Sequence, residues 1–369
     1  MTRVLAASLP AFAAWAAFSA APLRAQGTQG PIAPKPGTTV QKAPQGPIRV
    51  KVALVNAPVA VHDAKGELVL DLEQGDFHVL DNGIVQNIES FDLGGEPLSA
   101  VLVFEISSHI APLLPAVQKS AIVFTQTVIG PSGDAAVLGY DDTVDHLLPF
   151  TGDRDQIEKT ITSLKPGTSG ARLYDALSTA VGLLRDRPPS RRRVIIVVAE
   201  ARDSGSEEKL GAVLREAQLS NIVIYTVGLS TTAAALRSQP QQSGVHPATP
   251  PGTFGMPPVP GTAQTPDQQN GSVDLLALAV WAVQHATAVV KDRPLEVATV
   301  ATGGMYQSTF RDRSIENAVD AIGGELNAQY TLSYRPTGAE AAGFHQIKVT
   351  VDRPGVKVRT RPGYYIAEK

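Results

Sequence analysis

A carboxylate, a hydroxyl and an imidazole stand at alternate positions in Glu105-Ile-Ser-Ser-His109. Side chains two residues apart at the end of a strand leave it on the same side, so the three could converge on one ligand. The oxygens of Glu105 and Ser107 suit a hard cation such as Mg²⁺ or Ca²⁺; a ring nitrogen suits softer metals. Ser107, His109 and nearby acids could also be read as a hydrolase. Against that reading, the chain has no Gly-x-Ser-x-Gly elbow, and Ser107 and His109 are near neighbours in sequence, unlike the partners of a triad. There is no His-Glu-x-x-His motif, and the seven histidines show no paired metal-ligand spacing. Gly167-Thr-Ser-Gly170 lacks the lysine of a phosphate loop. With no cysteine present, thiol catalysis, thiolate metal sites and disulfides are excluded.

The elements around this loop are those of an α/β domain. Ser99–Phe104 carries a continuous apolar run, Val101–Phe104, which predicts a central parallel strand covered on both faces and running into the polar loop Glu105–His109. Ligands of such sheets gather beyond the carboxyl ends of the strands, where the strand order reverses. Further strands are predicted over Ala135–Tyr140, His146–Phe150, Val194–Ala199, Ile222–Val227 and Met305–Ser308. Helices are predicted over Leu114–Thr127, Arg154–Ser163, Leu173–Arg185, Glu207–Gln218, Leu275–Val290 and Ile315–Leu326. Strands alternating with helices imply a doubly wound, mostly parallel sheet. Asp141-Asp142-Thr143 is short enough to join an antiparallel edge strand. Asp175 opens a helix, where it suits either capping the free amides or a ligand role, and Asp203 precedes a helix it suits capping. The run Arg191-Arg192-Arg193 reads as a solvated strand entry.

Short strands flank this region on both sides. Val50–Val55, Val59–His62 and Phe77–Leu80 are followed by Asp81-Asn-Gly83, a strong hairpin turn, with Ile84 to Phe91 expected as the returning strand. At the other end Tyr330, Leu332 and Tyr334 alternate, as do Ile347, Val349 and Val351. Neither set is large enough for a core of its own. The expectation is one β-sandwich built from 48–96 and 328–369, with the α/β domain, 97–327, inserted between its halves. Residues 238–272, rich in Pro, Gln and Gly, are expected to form a disordered insert within that domain.

The chain has 369 residues, 43% of them hydrophobic and 18% charged, with a formal charge of −3. That balance gives no case for nucleic-acid binding. Arg3, the apolar stretch from Val4 to Phe18 and Leu23-Arg-Ala25 have the layout of a secretory signal peptide, 1–25. Its removal takes away two arginines and no acid, shifting the charge from −3 to −5. A Gly- and Pro-rich linker, 26–47, follows. The expected location is therefore periplasmic or extracellular, with no membrane span after cleavage.

Several stretches, in order, resemble bacterial VWFA-related proteins of the Acidobacterial type. They are Gly75-Asp-Phe-His-Val-Leu-Asp-Asn-Gly83, Pro97 to Ser108, Leu173-Tyr-Asp-Ala-Leu177, Val194 to Ser206, Gln329-Tyr-Thr-Leu-Ser-Tyr-Arg-Pro336 and Arg353-Pro-Gly to Tyr365. The resemblance spans about 48–367. It implies a von Willebrand factor A fold, a non-enzymatic role in protein binding, and a metal-ion-dependent adhesion site of pattern Asp-x-Ser-x-Ser. Those positions are Glu105, Ser107 and His109 here. The position of the second-loop Thr is Ala171, and that of the third-loop Asp is Glu200. Glu105, Ser107 and Glu200 are thus the candidate metal ligands, at a degenerate site. Longer acids crowd an octahedral Mg²⁺ site and Ala171 has no hydroxyl, although Ca²⁺ tolerates looser geometry. The expected function is an exported module that binds a protein ligand, with no cofactor or an altered use of Mg²⁺ or Ca²⁺. A scaffold that has lost ligand binding is the alternative, and a hydrolase the remote one.

Overall fold

The computed structural model describes residues 54–94, 96–230, 275–285, 293–309, 315–337 and 342–366. The expected signal peptide 1–25, linker 26–47 and insert 238–272 lie outside these residues, as do the first predicted strand up to residue 53 and the end of the Leu275 helix.

The inserted domain is built on a six-stranded sheet. Its strands are β5 (Leu98–Glu105), β6 (Asp134–Tyr140), β7 (Val144–Thr151), β8 (Arg192–Glu200), β9 (Ile222–Leu229) and β10 (Tyr306–Ser308). Their order is β10-β9-β8-β5-β6-β7. All pairs are parallel except β6 with the edge strand β7. Every residue of β5 is buried, as its unbroken apolar run requires of a strand covered on both faces.

One face packs against α4 (Leu173–Arg185), α5 (Leu210–Leu219), α6 (Leu275–Gln284) and α7 (Pro294–Thr302). The other face packs against α1 (Leu114–Lys119), α3 (Arg154–Thr162) and α8 (Ile315–Ala328). It also meets the segment after α1, where α2 (Ala121–Val123) runs into a π-helical turn, Phe124–Ile129. The single helix expected over Leu114–Thr127 is therefore broken. The Ser120 hydroxyl donates to the Val117 carbonyl at 2.6 Å and the Thr127 hydroxyl to that of Val123 at 2.7 Å, local bonds that bend helices. Phe104 of β5 meets Phe124 edge to face at 5.6 Å, holding this irregular segment on the sheet.

The β-sandwich has two four-stranded sheets, and each draws on both ends of the chain. One has the order β13-β1-β11-β4, with β1 (Val55–His62), β4 (Ile88–Leu93), β11 (Tyr330–Tyr334) and β13 (Lys357–Thr360). The other is β14-β12-β2-β3, with β2 (Phe77–Asp81), β3 (Ile84–Gln86), β12 (Gly343–Val351) and β14 (Gly363–Ile366). Asn82 and Gly83 both have positive φ, 47° and 84°, as the two-residue hairpin between β2 and β3 requires. Phe77, Phe91 and Tyr330 form an aromatic cluster with ring centroids 5.1–5.6 Å apart, joining strands from both ends of the chain. The α/β domain is thus inserted in a sandwich made of N- and C-terminal segments. Among the described residues, no helix is long and apolar enough to cross a membrane.

Candidate functional site

The strand order reverses at β5, whose neighbours β6 and β8 lie on opposite sides. The crevice this creates opens beyond the carboxyl ends of β5 and β8. Glu105 ends β5 and Glu200 ends β8, so parallel pairing brings the two acids together. Glu105 is 1% exposed and Ser107 0%. The Ser107 hydroxyl donates to Glu105 Oε1 at 2.5 Å, and the Glu200 backbone N–H donates to Glu105 Oε2 at 2.8 Å. Both oxygens of the carboxylate are thereby engaged by the protein.

Arg202 joins two loops above this pair. Its Nη1 lies 3.2 Å from His109 Nε2, and its Nη2 donates to the Ser169 carbonyl at 3.1 Å. A guanidinium can only donate, so Nε2 is the acceptor in this contact. His109 thus meets Arg202. Ala171 is fully buried and bridged to Ser204, whose N–H donates to its carbonyl at 2.7 Å. Among the described residues, no group of three or more His, Asp and Glu side chains is gathered where it could hold a metal.

The loop beside the crevice is held by Asp141. Its Oδ2 accepts from the Thr168 N–H at 2.7 Å and its Oδ1 from the Thr143 N–H at 2.9 Å. Those bonds offset its burial and leave its carboxyl below the usual carboxylate range. A Cβ on Gly167 would run into the Asp141 carboxylate, so the loop can close this tightly only with glycine there.

The two helix-start acids reach across to each other's segments. Asp203 accepts from the Tyr174 N–H at 3.1 Å and the Ser206 hydroxyl at 2.6 Å, so it caps α4 and not the helix that follows it in sequence. Asp175 in turn accepts from the Glu207 and Glu208 N–H groups at 3.0 and 2.9 Å, just ahead of α5. The reciprocal arrangement locks the first turn of α4 to the loop after β8, because each acid satisfies amides on the other segment. Sequence reasoning also missed Arg202 and Asp141. Arg202 stands two residues beyond Glu200, as Ser107 stands two beyond Glu105, and that shared spacing was the available signal.

Burial is the largest influence on Glu105 and raises its carboxyl above the ordinary 4.5, against the lowering effect of the Ser107 and Glu200 hydrogen bonds. The folded state therefore holds this proton more tightly than the unfolded chain does. From about pH 4.5 up to the folded pKa, stability falls as pH rises. Glu105→Gln has no charge to desolvate. Its Tm is expected to match wild type below that window and exceed it at neutral pH. A melting series across pH checks this; a variant that stays below wild type at neutral pH would refute it.

Residues 112–202 match the von Willebrand factor type A domain family. Together with the strand order, the match gives the inserted unit a von Willebrand factor A/Rossmann-like fold, carried on a β-sandwich. Among solved structures, the chain is similar to the conserved hypothetical protein BatB from Bacteroides thetaiotaomicron. The identity is 15%, over 62% of this chain and 97% of that one, with a TM-score of 0.40. It is similar to an aerotolerance-related membrane protein from Bacteroides fragilis at 17% identity, over 62% and 98% of the two chains, with a TM-score of 0.37. Proximal thread matrix protein 1 from the mussel byssus shares 14% identity over 67% and 50%, with a TM-score of 0.41. These likenesses are distant, and the fold assignment rests on the strand order and the family match. No curated protein matches the chain.

Proposed function

We propose that this chain is an exported, non-enzymatic protein-interaction module of the bacterial VWFA-related type. It would bind its partner at the crevice beyond β5 and β8 without a divalent cation. The observation that carries this reading is the closed state of Glu105, whose two oxygens accept from Ser107 and from the Glu200 amide. A hard cation would have to share each oxygen with a hydrogen-bond donor, taking only its second lone pair. It would gain no hydroxyl ligand at Ala171, and it would sit close to the Arg202 guanidinium, whose charge repels it. The crevice is a degenerate adhesion site in which Arg202, His109 and Ser169 present the polar surface. Hydrolysis has no support, since Ser107 spends its proton on Glu105 and His109 faces Arg202.

Two measurements test this reading. The melting temperature is expected to be the same in EDTA and in millimolar Mg²⁺, Mn²⁺ or Ca²⁺, because a cation that does not bind the native state cannot stabilise it. Cross-linked capture from the native envelope is expected to survive EDTA and to be lost in Arg202→Glu. A cation-dependent rise in Tm that disappears in Ser107→Ala, or capture abolished by EDTA, would overturn it.

A further inference from the structure

The arginine run 191–193 lies at the opposite end of the sheet from the crevice, and it is built into the fold. Arg191 donates to the Ser99 hydroxyl at 2.8 Å and pairs with Asp134 at 3.3 Å. Arg193 donates to the carbonyls of Ser220, at 2.9 Å, and Arg187. Arg192 is different. It is half-buried, and no acid or hydrogen-bond acceptor reaches its guanidinium among the described residues.

Arg192 borders a cavity of about 310 Å³ between the amino ends of β8 and β9 and the sandwich. From the sandwich side Arg361, in the turn between β13 and β14, also lines this cavity. Arg361 is 3% exposed, and its Nε is sealed from solvent with no hydrogen-bond partner. Its electrostatic neighbours are the Tyr334 and Tyr364 hydroxyls, and its guanidinium lies 5.8 Å from the Tyr364 ring centroid, but among the described residues it forms no ion pair. Burial alone lowers its pKa to about 10, so it stays charged at neutral pH while paying for desolvation. Gln329, also buried in the wall, has an amide Nε2 with no acceptor. Glu96 is the one acid among the lining residues, and it acts on Arg192 only at a distance beyond an ion pair.

The groups around this cavity that lack a hydrogen-bond partner are therefore donors: the Arg192 guanidinium, the Nε groups of Arg361 and Arg193, and the Gln329 amide. A buried charge needs a partner, and guanidinium forks match the oxygens of phosphate and carboxylate. We propose that the cavity is a binding site for the oxyanion group of a small molecule, a phosphate or a carboxylate, held by Arg361 and Arg192 with Gln329 as a further donor. The volume is that of a small ligand pocket. A ligand there would bridge the sandwich and the α/β domain, and so couple their stabilities.

Thermal melts and calorimetric titration of the full chain test this, with inorganic phosphate and malonate compared against chloride at equal ionic strength. Phosphate, malonate or both are expected to give a saturable rise in Tm of about 3 °C. Phosphate alone would identify a phosphoryl ligand, and malonate alone a carboxylate. The response is expected to vanish in Arg192→Met and Arg361→Met and to persist in Lys348→Met, an exposed control on β12. Should Arg361→Met fail to fold, Arg192→Met decides. No oxyanion effect beyond chloride in wild type, or a full response in either folded arginine variant, would overturn the proposal.

Discussion

A chain that ends after residue 327 is expected to lose the β-sandwich altogether. Neither of its sheets has a centre without the tail: β11 lies between β1 and β4, and β12 between β14 and β2. In register, Val55 to Val59 face Tyr334 to Tyr330, and Phe77 to Asp81 face Val351 to Ile347. Removing the tail strips β1 and β4 of their shared partner and leaves β2 with only the three-residue β3. It also removes Tyr330, Leu332, Tyr334, Ile347, Val349 and Tyr364 from the sandwich core. A lone hairpin with one exposed apolar face is marginal in water, so amides of residues 55–93 should exchange as in an unfolded chain. The separate peptide 328–369 should also be unstructured by circular dichroism. Mixing the two fragments should restore protection in both. Stable folding of 328–369 alone, or protection of 55–93 without it, would show that the halves are independent.

Asp81→Ala is expected to destabilise the whole protein by about 3–5 kcal/mol. Asp81 is 0% exposed and ends β2 inside the sandwich. Its carboxylate accepts from the Tyr364 hydroxyl at 2.7 Å, the Tyr334 hydroxyl at 3.1 Å and His345 Nδ1 at 3.1 Å. These donors come from β14, β11 and β12, so one carboxylate ties both sheets together. Alanine would leave two phenols and an imidazole buried without their acceptor, each costing about 1–3 kcal/mol before relaxation. That is a large part of the ~5–15 kcal/mol that holds a typical domain folded. In contrast, Tyr364→Phe removes one donor and leaves the carboxylate two others, and should cost about 1–1.5 kcal/mol. Denaturant midpoints at constant slope would measure both. An Asp81→Ala loss below about 1 kcal/mol would mean that the cluster is not the sandwich's anchor.

Much of this architecture was legible because its signals are local. The apolar run in β5, the alternating strands and helices, and Asn82-Gly83 each state a conformation within a few residues. The combined sandwich was also inferable, since two segments too small to fold alone and flanking one domain have few other solutions. The breakage of the helix after Leu114 was not, because its apolar spacing still fits one helix. Its disruption comes from hydroxyl groups returning to their own backbone.

The sequence by itself determined most strands of the α/β domain and set Glu105 and Ser107 at one edge of a parallel sheet, because hydrophobic period and strand direction suffice for that. The single strand expected over Ile84–Phe91 divides into β3 and β4 of different sheets. Glu200 joined Glu105 and Ser107 only through the family resemblance. Tertiary structure alone decided what those groups touch. Glu105 is closed by an amide 95 residues away, and Asp175 and Asp203 cap across to each other's segments. Asp81 gathers donors more than 250 residues distant. The arginine run shows the same limit most clearly. Three identical neighbours read as one solvated patch, yet two are spent on carbonyls and an acid while Arg192 faces a cavity shared with Arg361. Charge composition is a property of the local chain, but whether a charge finds a partner depends on which distant segment the fold sets beside it.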